Sequence, residues 1–482
     1  MKKKGSVKWV TLLLSLVMTA ALCFSLAGCG SDSAQQDNPS EESTAQSSEN
    51  NDSSQSTDPN AVVATASIVS TGDILIHSPF LTSYYDESTN TYDFKEIFQY
   101  VKPVVQSADY AVANLEISLG GEEPYSGYPC FNCPDAILDA LMDAGFDMTL
   151  TANNHMGDTG FEGFERTQTV LTEKGLDWIG SVKNSSDKRY KVVDINGIKV
   201  GMVNYTYISH EDGTTYLNGV PISDEFAARI NCFDYNELDT FYTTLEQIMS
   251  DMKADGAEAA VMYIHWGEEY HLEPMAYQKE IAQKLCDIGF DAIVGGHPHV
   301  IEPVEVITSE TTGKQTVCLY SMGNEISNQR FELLQEDIST PHTEDGLLFY
   351  TNFSRMGDGT VQLTSVDVVP TWVNMYYNEN DRRTYEIVPL KSGSDWSGLN
   401  LESADNGKQD GQDSYDRTMA LCENGVKAFN TLGGVTTTFT QNGSPSFNES
   451  NSSQEASAPA ESNSEENSLG GTASVVTIHN AA

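Results

Sequence analysis

Two histidines flank a proline in the run GGHPH, residues 295 to 299, and four other short stretches carry the same kinds of side chain. They are GDILIH, with Asp73 and then His77; ANLE, with Asn114 and Glu116; ANNH, with Asn153, Asn154 and His155; and YIHWGEE, with His265 and then Glu268. Imidazole, carboxylate and carboxamide oxygen together suit a borderline divalent ion such as zinc, manganese or iron. Histidines separated by one residue can face one cavity from a loop, and Pro298 limits the shapes that loop can take. A catalytic centre also needs an open coordination position and a group that can protonate a leaving oxygen. His155, beside the carboxamide of Asn154, is the best candidate for that acid. Singly, each residue has a plain structural reading: Asp73 as a turn or cap, Asn153 and Asn154 as turn residues, Glu116 as the point where a strand meets water.

The elements that must position these residues weigh against five coincidences. In PDAILDALMDAGFDMTLTANNH a helix with Ile137, Leu138, Leu141 and Met142 on one face stops at Gly145 and runs through a strand into Asn153. In YQKEIAQKLCDIGFDAIVGGHPH a helix with Ile281, Leu285 and Ile288 on one face stops at Gly289 and runs through a strand at Ala292 to Val294. The order is the same in both: helix, glycine, Phe-Asp, strand, ligand-type residues. The two glycines after Val294 are expected to let the backbone turn. Alternating helices and strands imply a largely parallel sheet, whose ligands gather beyond the carboxyl ends of the strands. Polar residues ending five strands would therefore share one site. The motifs of serine hydrolases, P-loops and dinucleotide folds, G-x-S-x-G, G-x-x-x-x-G-K and G-x-G-x-x-G, are absent from the sequence.

The ends of the chain are of another kind. Lysines before an apolar run and the closing LAGC read as an export signal with a lipobox at residues 1–29, Cys29 being the lipidated residue. The apolar run is short for a spanning helix. Residues 30–61 form a linker without lysine, arginine or aromatic side chains, expected to be disordered, and residues 441–482 a low-complexity tail. The folded domain is expected over 62–391, with a 392–440 extension that carries a helix at Tyr415 to Phe429. The net charge of −44, from 70 acidic and 26 basic residues, argues against a nucleic-acid partner. Cys130 and Cys133 could form a disulfide or be two small residues ahead of a helix; no second close pair makes a four-cysteine zinc site.

The ordered series STGDILIH, ANLEISL, AGFDMTLTANNHMGDTGFEGF, YIHWGEEY, IVGGHPHVIEPVE and YSMGNEIS resembles the CapA family of capsule-synthesis proteins, which is linked to poly-gamma-glutamate and built on the calcineurin-like metallophosphoesterase fold. The resemblance covers about residues 64 to 330 and is expected to continue to near Pro389. It implies an α/β fold, a four-layer α/β/β/α metallophosphoesterase-like sandwich. It also implies a metal set in which Asp73 and Glu116 lie near a first ion, Asn154, His265 and His297 at a second, and His299 returns to the first. His155 would assist as acid, and Asn324 and Glu325 would line the cleft. The family's D-x-H opening is changed here: Leu75 stands two residues after Asp73, and His77 lies four after it. One ion or two of manganese, iron or zinc remain alternatives.

The expected protein is a lipoprotein on the outer face of the cytoplasmic membrane, held by its lipid anchor. It would act in synthesis, export or processing of an anionic capsule polymer such as poly-gamma-glutamate through a metal-dependent hydrolase-type site. Its partners would be the polymer or its precursor and the membrane proteins of capsule synthesis or export. An envelope phosphodiesterase or nucleotidase, and a non-enzymatic tethered scaffold or polymer-binding subunit, are the alternatives.

Overall fold

The computed structural model describes residues 58–432 apart from 122, 335–337, 392–397, 400 and 402–405, together with the backbone of a strand pair at Thr436–Phe439 and Pro445–Asn448. The export signal with Cys29, most of the linker and most of the C-terminal tail lie outside the described residues.

The chain builds one sheet, then a second, then returns to the first. Its opening pass gives β1 (Val62–Ile74), β2 (Tyr110–Asn114), helix α1 (Ala136–Ala144), β3 (Met148–Leu150), helix α2 (Gly160–Lys174) and β4 (Asp177–Ile179). These four strands lie side by side in parallel. The second sheet begins with the antiparallel pair β5 (Lys191–Ile195) and β6 (Ile198–Glu211), then β7 (Thr214–Leu217), β8 (Val220–Ile222) and β9 (Cys232–Asp234). Helix α3 (Leu238–Ala254), β10 (Ala259–His265), helix α4 (Ala276–Ile288) and β11 (Ala292–Gly296) follow, with β6, β10 and β11 parallel neighbours. The hairpin β12 (Ile301–Thr308) and β13 (Gln315–Met322) closes that sheet. Then β14 (Asn324–Ile326) pairs beside the end of β1, and β15 (Asp345–Met356), β16 (Val361–Tyr377) and β17 (Arg383–Pro389) extend the first sheet antiparallel. Among the described residues the sheets hold eight and nine strands.

Alternation along the strands divides three cores. Ile68, Val112 and Met148 face Met202, Val261 and Leu319 between the sheets. The neighbouring positions Val69, Ala111 and Ala113 turn outward, under Ile137, Leu138 and Leu141 of α1 and Leu171 of α2. Val203, Met262 and Ile264 lie under Phe241 and Leu245 of α3 and Ile281 and Leu285 of α4. Period-two side chains on strands and a single apolar stripe on each helix thus yield the four-layer α/β/β/α sandwich that the resemblance implies. Met142, expected on one face of α1 with Ile137, Leu138 and Leu141, is 40% exposed while those three are buried. Gly145 and Gly289 end their helices in left-handed geometry, φ 106° and 113°, as their positions require.

Register is held by an acid placed just ahead of four parallel strands. Asp109, Asp147, Glu258 and Asp291 each take a backbone N–H of the preceding neighbour strand on the side chain, from Ser67, Ala111, Lys199 and Ala260, at 2.8–3.1 Å. Each also donates its own N–H to the carbonyl of that same residue. The Phe-Asp of both helix–glycine–strand units is thereby explained: it clamps a strand start, and strand starts set where strand ends arrive.

The C-terminal helix α5 (Gly407–Leu432) runs longer than the Tyr415 to Phe429 expected, since its first turns, GKQDGQDS, carry no apolar period. Cys422, Val426 and Phe429 join the core between the sheets, and Arg417 makes paired hydrogen bonds of 2.8 and 2.6 Å to the buried Asp345. Cys130, exposed, and Cys133, buried, are both free thiols.

Candidate metal centre

All five polar strand ends arrive at one edge of the sandwich, and β14 adds a sixth group. Asp73 is the last residue but one of β1, beside Asn324, Asn114 ends β2, and a tight turn returns Glu116 toward both. Asn154 and His155 sit on a 3-10 turn after β3, His265 is the last residue of β10, and His297 and His299 follow β11. Asp73, Glu116, Asn154, His155, His265, His297 and His299 are all buried.

The two carboxylates are buckled by one amide. Asn114 Nδ2 donates to Asp73 Oδ1 at 2.7 Å and to Glu116 Oε2 at 3.3 Å, and Asn153 Nδ2 donates to Leu115 O at 2.8 Å behind them. Asp73 Oδ2 meets His299 Nδ1 at 3.0 Å, and Asn324 Oδ1 lies 3.1 Å from the same nitrogen. Glu116 Oε1 stands 3.4 Å from His265 Nε2 and 3.8 Å from His299 Nε2. His265 Nε2 also lies 2.9 Å from Asn154 Oδ1.

The glycines of GGHPH belong to β11 itself, paired with Ile264 and His265, so the turn begins only at His297. They permit close approach instead: a Cβ on Gly295 would lie 1.8 Å from Tyr320 O, and one on Gly296 3.0 Å from Asp73 Oδ1. The turn places His297 at φ 99° and His299 at φ 56°, positive values that side chains other than glycine rarely adopt. Such backbone strain is retained where surrounding contacts over-determine it, which is common at functional sites.

Burial sets the protonation states. It drives His265 down to about 3 and His297 well below the ordinary imidazole value, so both rings are neutral and present lone pairs. Glu116 is pushed well above the usual carboxyl range by burial and then by the charge of Asp73. Burial also works to raise Asp73, but the His299 hydrogen bond and charge outweigh it and hold the carboxyl below its ordinary value. The same contact raises His299 against the opposing effect of its burial.

A divalent cation fits this set. Glu116 Oε1, His265 Nδ1 and His297 Nδ1 are buried and make no hydrogen bond among the described residues. Three overlapping trios offer ligand atoms within 4.8 Å of one another: Glu116, His265 and His297; Asp73, Glu116 and His299; Glu269, His297 and His299. Carboxylate and imidazole donors of this kind suit zinc, manganese or iron.

Other expected residues are placed differently. His77 is set back, its Nε2 3.3 Å from Ser327 Oγ, with Phe131 edge-on between its ring and that of His155. Glu325 does not line the cleft: neighbours along β14 point to opposite faces, so Asn324 faces His299 while Glu325 accepts from Thr371 Oγ1 at 3.0 Å behind the sheet. Glu268 is also displaced, accepting from Tyr277 OH at 3.4 Å, and the next residue, Glu269, joins the ligand trio instead. Asp158, unnoticed in the sequence, lies 2.8 Å from His155 Nδ1; its signal was the i,i+3 spacing on a helical turn. Tyr207, whose OH lies 3.2 Å from His297 Nε2, comes from the middle of β6 and had no such signal.

The family profile described as bacterial capsule synthesis protein PGA_cap matches residues 67–329, which span every strand end of the cleft. The PGA biosynthesis protein CapA of Bacillus subtilis is 28% identical over 311 residues, 64% of this chain and 72% of that protein. The capsule biosynthesis protein CapA of Bacillus anthracis is 28% identical over 266 residues, 54% of this chain and 59% of that protein. With this cleft inside the matched stretch, the chain belongs to the bacterial capsule-synthesis family PGA_cap.

Proposed function

We propose that the cleft is a metal-dependent hydrolase-type centre acting on an anionic envelope polymer of the poly-gamma-glutamate class during its synthesis, export or processing. One observation carries the reading: Glu116, His265 and His297 form one trio of ligand groups, and Glu116 Oε1, His265 Nδ1 and His297 Nδ1 are each buried without a hydrogen bond among the described residues. A buried polar atom left without a partner costs about 1–3 kcal/mol, a penalty that a bound cation removes. Asp73, Glu116, Asn154, His265, His297 and His299 would hold one ion or two. A bound divalent ion supplies Lewis-acid polarisation of the scissile group and activation of water.

The chain's own residues do the rest. Neutral His265 and His297 keep lone pairs available, and ionised Asp73 balances the cation's charge. Asp158 fixes the His155 ring through Nδ1, which leaves Nε2 to hand a proton to the leaving group, the amide nitrogen of a gamma-glutamyl bond. Acids stand at the rim, so a bound cation is the group that would attract a polyanion. The names of the two Bacillus relatives support the choice of polymer. The LAGC sequence supports a lipid anchor at Cys29 that holds the domain on the outer face of the membrane, where such a polymer emerges. Among the described residues no helix is long and apolar enough to cross a membrane.

Elemental analysis and a hydrolysis assay test the reading. The purified chain is expected to retain manganese, iron or zinc and to lose hydrolysis on chelation. His155→Ala should lower turnover about 100-fold or more with metal content unchanged. A phosphodiester substrate run beside poly-gamma-glutamate separates the polymer reading from the phosphodiesterase one. A chain that binds no such ion when supplied in excess would overturn the proposal.

A further inference from the structure

We propose that Glu269 is a metal ligand that completes a second, solvent-facing cation position with His297 and His299. The inference rests on the reading of the cleft as a metal centre and adds to it a count and a residue. Of the three overlapping trios, the two that contain Glu116 are wholly buried; the third, Glu269 with His297 and His299, has the one exposed member. Each histidine of the HPH turn therefore belongs to an inner trio and to the outer one, and their ring centroids lie 5.9 Å apart. A neutral imidazole offers one lone pair, so His297 and His299 given to the outer position leave Asp73, Glu116 and His265 to an inner one.

Two features point the same way. His297 Nδ1 is buried and makes no hydrogen bond among the described residues, while its other nitrogen faces Tyr207 OH at 3.2 Å. The loop that carries Glu269 is also strapped to the turn it faces: Tyr270, at φ 67°, donates its N–H to Pro298 O at 2.8 Å. The same loop turns at Gly267, φ 94°, where a Cβ would meet Gln278 Nε2 at 2.8 Å. That turn sends Glu268 toward Tyr277 OH and leaves Glu269 over the histidines. Two imidazoles and one carboxylate leave coordination positions free for oxygen atoms of a substrate. The exposed carboxylate makes this outer ion the exchangeable one, and an anionic chain would meet it first.

The test uses manganese alone, on wild type, Glu269→Gln and Glu268→Gln, by equilibrium dialysis with elemental analysis and by electron paramagnetic resonance. Wild type is expected to bind two ions per chain, one more weakly, with a spin-coupled spectrum. Glu269→Gln should weaken the second ion at least tenfold and abolish the coupled signal, while Glu268→Gln behaves as wild type. Equal melting temperatures without metal would show that all three are folded alike. A wild type that binds one ion, or a Glu269→Gln variant that keeps two at unchanged affinity, overturns the second position and leaves the reading of the cleft standing. A wild type that binds none overturns both.

Discussion

His155 and Asp158 show how much a single spacing can decide. They lie three residues apart, His155 on a 3-10 turn and Asp158 at its C-cap, and the 2.8 Å contact at Nδ1 fixes which ring nitrogen faces the cleft. Asp158 also accepts the Phe131 N–H at 2.6 Å, so its carboxylate is itself held in place. Asp158→Asn keeps the shape and weakens the orientation; steady-state kinetics should show kcat lowered about tenfold or more with KM little changed and metal content intact. A matching loss of metal would instead make Asp158 a support of the whole cleft. Asp73, Glu116, His265, His297 and His299 were legible as residues because each stands at or just past a strand end, where type and position coincide. Glu268 and Glu325 were misplaced for one reason: adjacent residues differ in direction, and composition does not say which of a pair faces inward. Only the Gly267 turn and the pairing of Asn324 with Asp73 settle that.

Among the elements, the repeated helix–glycine–Phe-Asp–strand unit was the most readable part of the chain. One copy feeds each sheet, and together they deliver Asn154 and His155 from one side and His297 and His299 from the other. The role of its aspartate was not readable, because the partner N–H groups at Ala111 and Ala260 lie 36 and 31 residues away. Asp291→Ala removes a hydrogen bond between a carboxylate and Ala260 N–H at the start of β11. Urea unfolding should register a loss of about 1–3 kcal/mol. A change near zero would mean that the ladder holds its register without the clamp. Helix α5 lies beyond the residues matched by the family profile, and its fit was hidden for a similar reason. Gly425 presses against β12 so closely that a Cβ would lie 1.9 Å from Val304 O. A glycine inside a helix reads only as a weak helix former until the neighbouring backbone is known. Gly425→Ala should lift α5 from the sandwich, and limited proteolysis should then cut the extension faster than in wild type.

Across the whole molecule, charge acts on stability by two routes that respond to pH in the same direction, and only one of them responds to salt. The net charge of −44 gives self-repulsion that grows as carboxyl groups ionise, and added salt screens it. Separately, burial raises several acids of the sandwich: Glu302 to about 8, Glu325 to about 7, and Asp345, despite Arg417, to about 6. A carboxyl with a raised folded-state value holds its proton where the unfolded chain has released it. Its contribution to stability is therefore complete at low pH and is lost as pH rises from the ordinary carboxyl value through the folded one. For Glu302 that window runs from about 4.5 to about 8. Glu302 Oε2 accepts from Gln278 Nε2 at 2.9 Å while Oε1 is buried without a partner among the described residues, a neutral environment that glutamine can share. Glu302→Gln is expected to flatten the fall of melting temperature between pH 5 and pH 9 by a few degrees, since about 1 kcal/mol moves the midpoint of a large domain by a few degrees at most. High salt should not reproduce that gain, because screening acts on exposed charges and leaves a desolvated carboxyl almost untouched. If salt alone removed the pH dependence, surface repulsion would be its source and the buried acids would be neutral bystanders.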